Sequence, residues 1–312
     1  MINLTASDGS AASSLCFGCM QFGGAADAKD SREMFEACRA AGVNFFDSAH
    51  TYTGGACDTL LGGFIDQDRE QLIIATKVGY TGGSGRANIF QQFEETRSRL
   101  NLDVVDILYL HRWDSETSLE ETFEAMSELQ QSGLIRYVGV SNFAAWQVMK
   151  AQHVAQDLGT RIDVLQPMYS LVKRQAEVEL FPMALSEGIA VAAYSPLGGG
   201  LLTGKYQAGG EGRLSHDTRY AARYGQAWMH LTARDLVDVA EGLGVDPATL
   251  AVAWSARHAA VTAPIISARD AGQLKPSLDA ISLDLTDQVY AQLDALSPRP
   301  APATDRLEEA AL

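Results

Sequence analysis

VVDILYLHRWDSETSLEETFEAMSELQQSGLIRYVGVSN, residues 104–142, contains one complete repeat of an architecture. Val104–Leu110 is an apolar, β-branched run of strand length that ends at His111. Ser118-Leu-Glu-Glu121 has the capping-box pattern, in which Ser and Glu side chains cover free backbone N–H groups at a helix start. Phe123, Met126 and Leu129 then recur at helical spacing, and Gly133 supplies a stop. Tyr137–Val140 opens a second apolar run that ends at Ser141-Asn142. The stretch therefore reads strand, helix, strand.

Outward from it the same unit recurs. Leu15–Phe17, Val43–Phe46, Leu72–Ala75, Ile162–Leu165, Ile189–Ala193 and Val261–Ile266 bring the apolar runs to eight. Apart from the last interval their starts lie about 25 to 33 residues apart, the length a parallel strand needs for a crossover helix and two loops. Ser31–Ala41 reads as a helix with Met34, Phe35 and Cys38 on one face and Ser31 as its cap, and Thr286–Leu296 as an extra helix after the eighth unit. The alternation predicts an α/β fold: one closed (β/α)8 TIM barrel over residues 1–312, a single domain with an extra C-terminal helix and a long loop after the seventh strand. A doubly wound sheet is the competing reading. Its Gly-x-Gly-x-x-Gly signature is missing after Leu15–Phe17, where Gly18, Gly23 and Gly24 have the wrong spacing. The glycine-rich segment 197–226, before the eighth run, reads as a lid or as a solvated insertion.

Composition narrows the function. A net charge of −15 repels a polyphosphate backbone or an anionic bilayer, so neither nucleic acid nor membrane is an expected partner. The N-terminal MINLTASDGS has no basic segment leading into an apolar run, no stretch is apolar enough to span a bilayer, and four cysteines are too few to staple 312 residues. A cytoplasmic enzyme is the expectation, with oligomeric state left open and a monomer sufficient. Cys16-x-x-Cys19 could be half of a zinc site or a redox pair, but nothing completes it, so no metal is expected.

In such a barrel the site is built at the C-terminal strand ends, so polar residues directly after each run carry most weight. The second run leads to Asp47 and then Tyr52, the third to Lys77, the fourth to His111 and the fifth to Ser141-Asn142. The sixth leads to Gln166, the seventh to Tyr194 and the eighth to Ser267-Ala-Arg269. Singly, Asp47 and Lys77 could be a structural ion pair, His111 a core histidine, Tyr52 a rim aromatic and Ser141-Asn142 a helix cap. Stability does not require all of them on one rim.

Read in order, Asn44-Phe-Phe-Asp-Ser-Ala-His-Thr-Tyr52, Ile74-Ala-Thr-Lys77, Asp106-Ile-Leu-Tyr-Leu-His111, Gly139-Val-Ser-Asn-Phe143, Gln166-Pro-Met-Tyr169 and Tyr194-Ser-Pro-Leu-Gly198 resemble the successive motifs of the aldo-keto reductases. The likeness runs from about Leu15 to Leu296. It implies an NADP(H)-dependent oxidoreductase moving hydride between nicotinamide and a small carbonyl or alcohol, with NAD(H) a weaker alternative. The implied catalytic tetrad is Asp47, Tyr52, Lys77 and His111. Hydride arrival puts negative charge on the carbonyl oxygen, so Tyr52 would donate a proton there. Lys77 would lower the phenol from its ordinary value of about 10, Asp47 would keep Lys77 charged, and His111 would orient the substrate oxygen.

The resemblance also implies cofactor contacts. Ser141, Asn142 and Gln166 would bind the carboxamide, Tyr194 would stack on the ring, Ser195 and Leu197 would also bind the cofactor, and Lys205 would reach the pyrophosphate from the long loop. Ser267, Arg269 and Gln273 would take the adenosine phosphate, where a hydroxyl and a planar guanidinium suit a doubly charged group and favour NADP over NAD. Met20, Phe22, Tyr80, Trp113, Tyr206 and Trp228 are candidate linings of an apolar mouth. Thr53 and Asp58 stand where relatives often carry Gly and Glu, changes expected to affect the approach to the following helix more than the chemistry. Two other functions compete: a Schiff-base lyase using Lys77, and a non-catalytic nicotinamide-binding regulatory subunit, since related barrels accompany ion channels.

Overall fold

The computed structural model of the chain describes residues 2–65 and 68–309. The predicted extent of 1–312 therefore includes residues 1, 66, 67 and 310–312, which lie outside the described ones. In chain order the elements are β1 (Cys16–Gly18), α1 (Ala28–Ala40), β2 (Phe45–Asp47), α2 (Ala56–Gly62), β3 (Ile73–Val78), α3 (Arg86–Leu100), β4 (Val105–Leu110), α4 (Leu119–Gln131), β5 (Ile135–Ser141) and α5 (Ala145–Asp157). Then come β6 (Val164–Gln166), α6 (Leu180–Glu187), β7 (Ala190–Val191), α7 (Arg213–His216), α8 (Thr218–Tyr224), α9 (Ala227–Leu243), α10 (Pro247–Arg257), β8 (Ile265–Ile266), α11 (Ala271–Asp279) and α12 (Asp287–Asp294).

The strands form one parallel sheet in the order β7-β6-β5-β4-β3-β2-β1-β8. Its two ends meet: Ile265 N donates to Ala193 O at 2.7 Å, and Tyr194 bridges to Ile265. The result is the (β/α)8 barrel expected from the eight runs.

Strand parity explains both the core and the site. Cys16, Phe45, Ile73, Ala75, Ile107, Tyr109, Val164, Ala190, Ala192 and Ile265 pack together inside the barrel. Their chain neighbours, such as Phe17, Phe46, Ile74, Leu108 and Leu165, belong to the outer core shared with the helices. A strand buried on both faces has no polar side to show, which is why the runs read as continuous rather than alternating. Room inside is tight: a Cβ on Gly139 would lie 2.3 Å from the Tyr109 ring, so the bare backbone of β5 is what admits that ring. Each large aliphatic or aromatic side chain so buried contributes about 1.5–3 kcal/mol.

Several local expectations need correction. Helix α1 begins at Ala28 and is capped by Asp27, which accepts from Asp30 N at 2.9 Å; Ser31 lies inside it, buried, because its face joins Met34, Phe35 and Cys38 on the core. The α4 capping box is half formed. Ser118 accepts from Glu121 N at 3.2 Å, but Glu121 Oε1 takes Arg86 N of α3 at 2.9 Å instead of closing back. Segment 197–226 is not a bare solvated insertion: it holds a 3-10 turn at Gly198–Thr203 together with α7 and α8, and buries Leu201, Leu202 and Tyr224. Thr286 caps α12, as the extra helix required. Phe22 is wholly buried against Phe17 rather than at the mouth.

Cys16 belongs to the barrel interior and Cys19 to the outer core, so the two do not share a ligand direction. All four cysteines are free and buried, and the described residues contain no cluster of His, Cys, Asp and Glu able to hold a metal. No helix among them is long and apolar enough to cross a membrane.

Candidate active site

Successive side chains of a strand point to opposite faces, so a residue two beyond an interior one also points inward, one layer higher. Asp47 stands two beyond Phe45, Lys77 beyond Ala75, His111 beyond Tyr109, Gln166 beyond Val164, Tyr194 beyond Ala192 and Ser267 beyond Ile265. Ser141 likewise stands two beyond Gly139 on β5. The polar layer is the continuation of the apolar one.

Lys77 is its centre. The ammonium, 1% exposed, donates to Asp47 Oδ2 at 2.5 Å, to the Ser48 carbonyl at 2.7 Å and to the Tyr52 hydroxyl at 3.3 Å, which uses its three donors. Burial pulls the Lys77 pKa down, but Asp47 and Tyr52 beside it outweigh this and leave it above the usual lysine range. Gln166 Nε2 donates to the other Asp47 oxygen at 2.9 Å. The carboxylate is thus engaged on both sides and held in register with β6.

Tyr52 sits in a 3-10 turn, Tyr52–Gly55, just after β2. Lys77 acts on it in the expected sense, yet burial is the larger influence and Asp47 adds to it, so the phenol rises to about 12. The expected net lowering is therefore overturned by desolvation of the phenolate. His111 lies edge-on to Tyr52 with ring centroids 5.9 Å apart, and Tyr80 covers it at 4.8 Å. Burial, then the positive charges of Lys77 and Arg112, bring His111 down to about 3, so the imidazole is neutral near pH 7. Its Nδ1 is buried without a partner among the described residues.

Ser141 and Asn142 do not cap α5. That role falls to the backbone of Ala144, whose N–H donates to Gln147 Oε1 at 2.8 Å. Ser141 Oγ donates to the Gln166 carbonyl at 2.9 Å, while Asn142 Nδ2 donates to the His111 carbonyl at 3.0 Å and Asn142 Oδ1 accepts from Tyr194 at 2.7 Å. These contacts lace β4, β5, β6 and the end of β7 together at one rim. Thr53, Asn142 and Ser195 hold positive φ of 47°, 57° and 62°, a conformation that non-glycine residues keep only when surroundings impose it.

A second group gathers farther round. Lys205 is half-buried, and burial together with the charges of Arg269 and Arg213 lowers its pKa. None of the three forms an ion pair with a carboxylate among the described residues. Ser267 Oγ is buried and unbonded, and Gln273 Oε1 accepts from Arg269 N at 3.0 Å, ahead of α11. In a chain of net charge −15, three neighbouring cations beside a free hydroxyl suit an anion. Leu197 is half-buried against the outer core at the head of the Gly198–Thr203 turn.

The Ser48 carbonyl and Arg112 join the constellation without having been read from sequence. A carbonyl carries no residue signature, and an arginine next to a histidine is unremarkable until the fold turns it over Tyr80, 5.0 Å from the ring centroid.

A family model described as Aldo/keto reductase family matches residues 14–298. The chain is 33% identical over 294 residues to a "Probable voltage-gated potassium channel subunit beta" of Arabidopsis thaliana, covering 87% of this chain and 88% of that protein. It is 32% identical over 314 residues to the "Uncharacterized oxidoreductase YrpG" of Bacillus subtilis, covering 94% of each. Similarity to the "Norsolorinic acid reductase stcV" of Emericella nidulans is 29% over 309 residues, 92% of this chain and 78% of that one.

Proposed function

The chain belongs to the aldo/keto reductase family and is an oxidoreductase of it, and on that premise we propose that it is an NADP(H)-dependent reductase of small carbonyl compounds in which Tyr52 is the general acid. The observation that carries this is the three-way contact of Lys77 with Asp47, Ser48 and Tyr52 at one rim of the barrel.

The residues present fit the cofactor. Ser141, Asn142 and Gln166 offer polar groups at the ends of β5 and β6, Tyr194 and Ser195 with Leu197 follow after β7, and Lys205, Ser267, Arg269 and Gln273 offer charge and hydrogen bonds for phosphate. Bound there, a nicotinamide would supply a hydride to a carbonyl carbon, or take one from the carbinol carbon of an alcohol. His111, neutral, holds the substrate oxygen by a hydrogen bond beside the Tyr52 hydroxyl. A phenol near 12 is protonated at neutral pH and ready to donate as negative charge builds on that oxygen. The Lys77 ammonium then steadies the phenolate left behind, and Asp47 keeps the ammonium from losing its own proton. In the reverse sense Tyr52, as the phenolate steadied by Lys77, accepts the proton of an alcohol.

The lyase reading is the weaker one, because an imine-forming lysine must be neutral and Lys77 is held charged. The name of the Arabidopsis relative favours a regulatory role as second reading, and a complete tetrad argues against loss of turnover. A cytoplasmic setting accords with four free, buried thiols. The test is NADPH oxidation against a panel of aldehydes, ketones and sugars, with NADP+ against the alcohols, and borohydride trapping alongside. Turnover of any panel member supports the proposal; tight cofactor binding with none supports the regulatory reading, and a trapped adduct on Lys77 supports the lyase.

A further inference from the structure

We infer that Asp58 is a positioning residue that, through Ser48, holds the Tyr52 segment against Lys77; this rests on the proposed role of Tyr52. Asp58 lies in the first turn of α2, and its presence in place of Glu was expected to affect entry into that helix more than the chemistry. Its carboxylate does something else. Asp58 and Ser48 are both wholly buried, and Ser48 Oγ donates to Asp58 Oδ1 at 2.5 Å. The carbonyl of the same Ser48 accepts from Lys77 at 2.7 Å. One residue is thus gripped on its side chain by Asp58 and on its backbone by Lys77.

Ser48 and Asp58 are ten positions apart and form the base of the segment that carries Tyr52. Thr53 holds a φ of 47° that an L side chain keeps only when its surroundings impose it, and Gly54 and Gly55, at 63° and 96°, are free to adopt other conformations, so the segment's shape depends on the ties around it. Thr53 Oγ1 provides one, donating to Phe22 O at 2.8 Å and accepting from Cys57 N at 2.9 Å. The Ser48–Asp58 bond provides another across the base, beside backbone bonds such as His50 N to Lys77 O at 3.1 Å. Without Asp58, Ser48 Oγ keeps only the Cys57 thiol among the described residues, at 3.1 Å, a weak partner. Because the Lys77–Tyr52 contact is already 3.3 Å, further slack in the segment separates the phenol from the charge that steadies its phenolate.

The carboxylate is unlike a mere filler. Burial raises Asp58 to about 6, against the pull of Ser48 and of Arg99 and Thr96 on α3, and of His50. A buried acid kept at such expense in desolvation, with Oδ2 still unbonded, needs its one short hydrogen bond.

The test compares Asp58→Ala and Asp58→Asn with the parent. Hydrogen exchange in the cofactor-free protein reports the segment directly, and steady-state kinetics normalised to cofactor-binding sites report its effect. Asp58→Ala is expected to speed exchange in peptides covering 48–58 by roughly tenfold or more while α4 peptides stay unchanged, and to lower kcat roughly 10- to 100-fold with KM within about threefold. Asp58→Asn, whose Oδ1 still accepts from Ser48, is expected to recover most of both losses. Parent-like exchange over 48–58 in Asp58→Ala overturns the inference, as does Asp58→Asn failing to the same extent as Asp58→Ala. Should Asp58→Ala not fold, Ser48→Ala removes the same bond from the other side, and parent-like exchange there overturns it equally. Exchange needs no turnover, so a parent inert to every carbonyl would sink the reductase reading while leaving this result standing.

Discussion

Gln166 donates its side-chain amide to Asp47 Oδ1 at 2.9 Å, joining residues 119 positions apart, while Lys77 holds the other oxygen. Since a carboxylate only accepts, the contact also orients the amide, with its carbonyl oxygen directed elsewhere. A residue proposed to meet the cofactor therefore supports the buried ion pair, and changes at Gln166 are felt at Lys77.

Lys77→Met should destabilise the fold by about 3–5 kcal/mol, because it strands a buried carboxylate. Adding Asp47→Asn should restore much of that stability and none of the turnover. Denaturant midpoints of the two single variants and the double variant read this out. A Lys77→Met protein as stable as the parent would mean that Asp47 is better solvated than its 3% exposure implies.

Tyr52→Phe should leave cofactor affinity nearly unchanged and cut carbonyl reduction by roughly 10²-fold or more, the size of a lost general acid. Since the phenol lies near 12, reduction by the parent should be flat from pH 6 to 9, whereas alcohol oxidation, which needs the phenolate, should climb across that range. A parent-like rate in the Phe variant would remove Tyr52 from the chemistry.

His111 contributes stability with a definite pH sign. Its folded pKa of about 3 lies below the ordinary value near 6.5, so the unfolded chain binds the proton more readily and this contribution is lost as pH falls below about 6.5. Between pH 7 and 5 the parent should lose about 2 kcal/mol that His111→Gln does not. Asp58 and Asp163, both raised by burial to about 6, act in the opposite sense, gaining stability as pH falls through that value. They are common to both proteins, so the difference isolates His111. Identical pH dependence would place a proton on His111 in the folded state.

Arg269→Ala should weaken NADPH by far more than NADH, since only the former carries the extra phosphate. Fluorescence titration of both cofactors decides it, and equal weakening would detach Arg269 from that group.

Much of the candidate site was legible because its residues and the fold share one periodicity. The apolar runs marked the strands, and the polar residue closing each run marked the rim, so Asp47, Lys77, His111, Gln166 and Ser267 could be named before any coordinates. Helix ends were less legible. Ser31 and Asp27 are both good caps by residue type, and only packing of the Met34 face decides between them. Glu121 has the capping-box spacing, yet Arg86 from a neighbouring helix claims it. Asp58 was expected to affect helix entry rather than the chemistry, because a sequence shows position along a helix and not the direction of a short side chain toward a distant hydroxyl.

By itself the chain's order of residues determined the eightfold strand-helix alternation and the polar ring above it, because strand parity and helical spacing are local and survive without knowledge of neighbours. Tertiary structure alone decided which proton sits where. Whether burial outweighs the lowering of Tyr52 by Lys77, whether His111 is charged, and which backbone carbonyl holds the ammonium depend on distances between segments and on the water that folding removes.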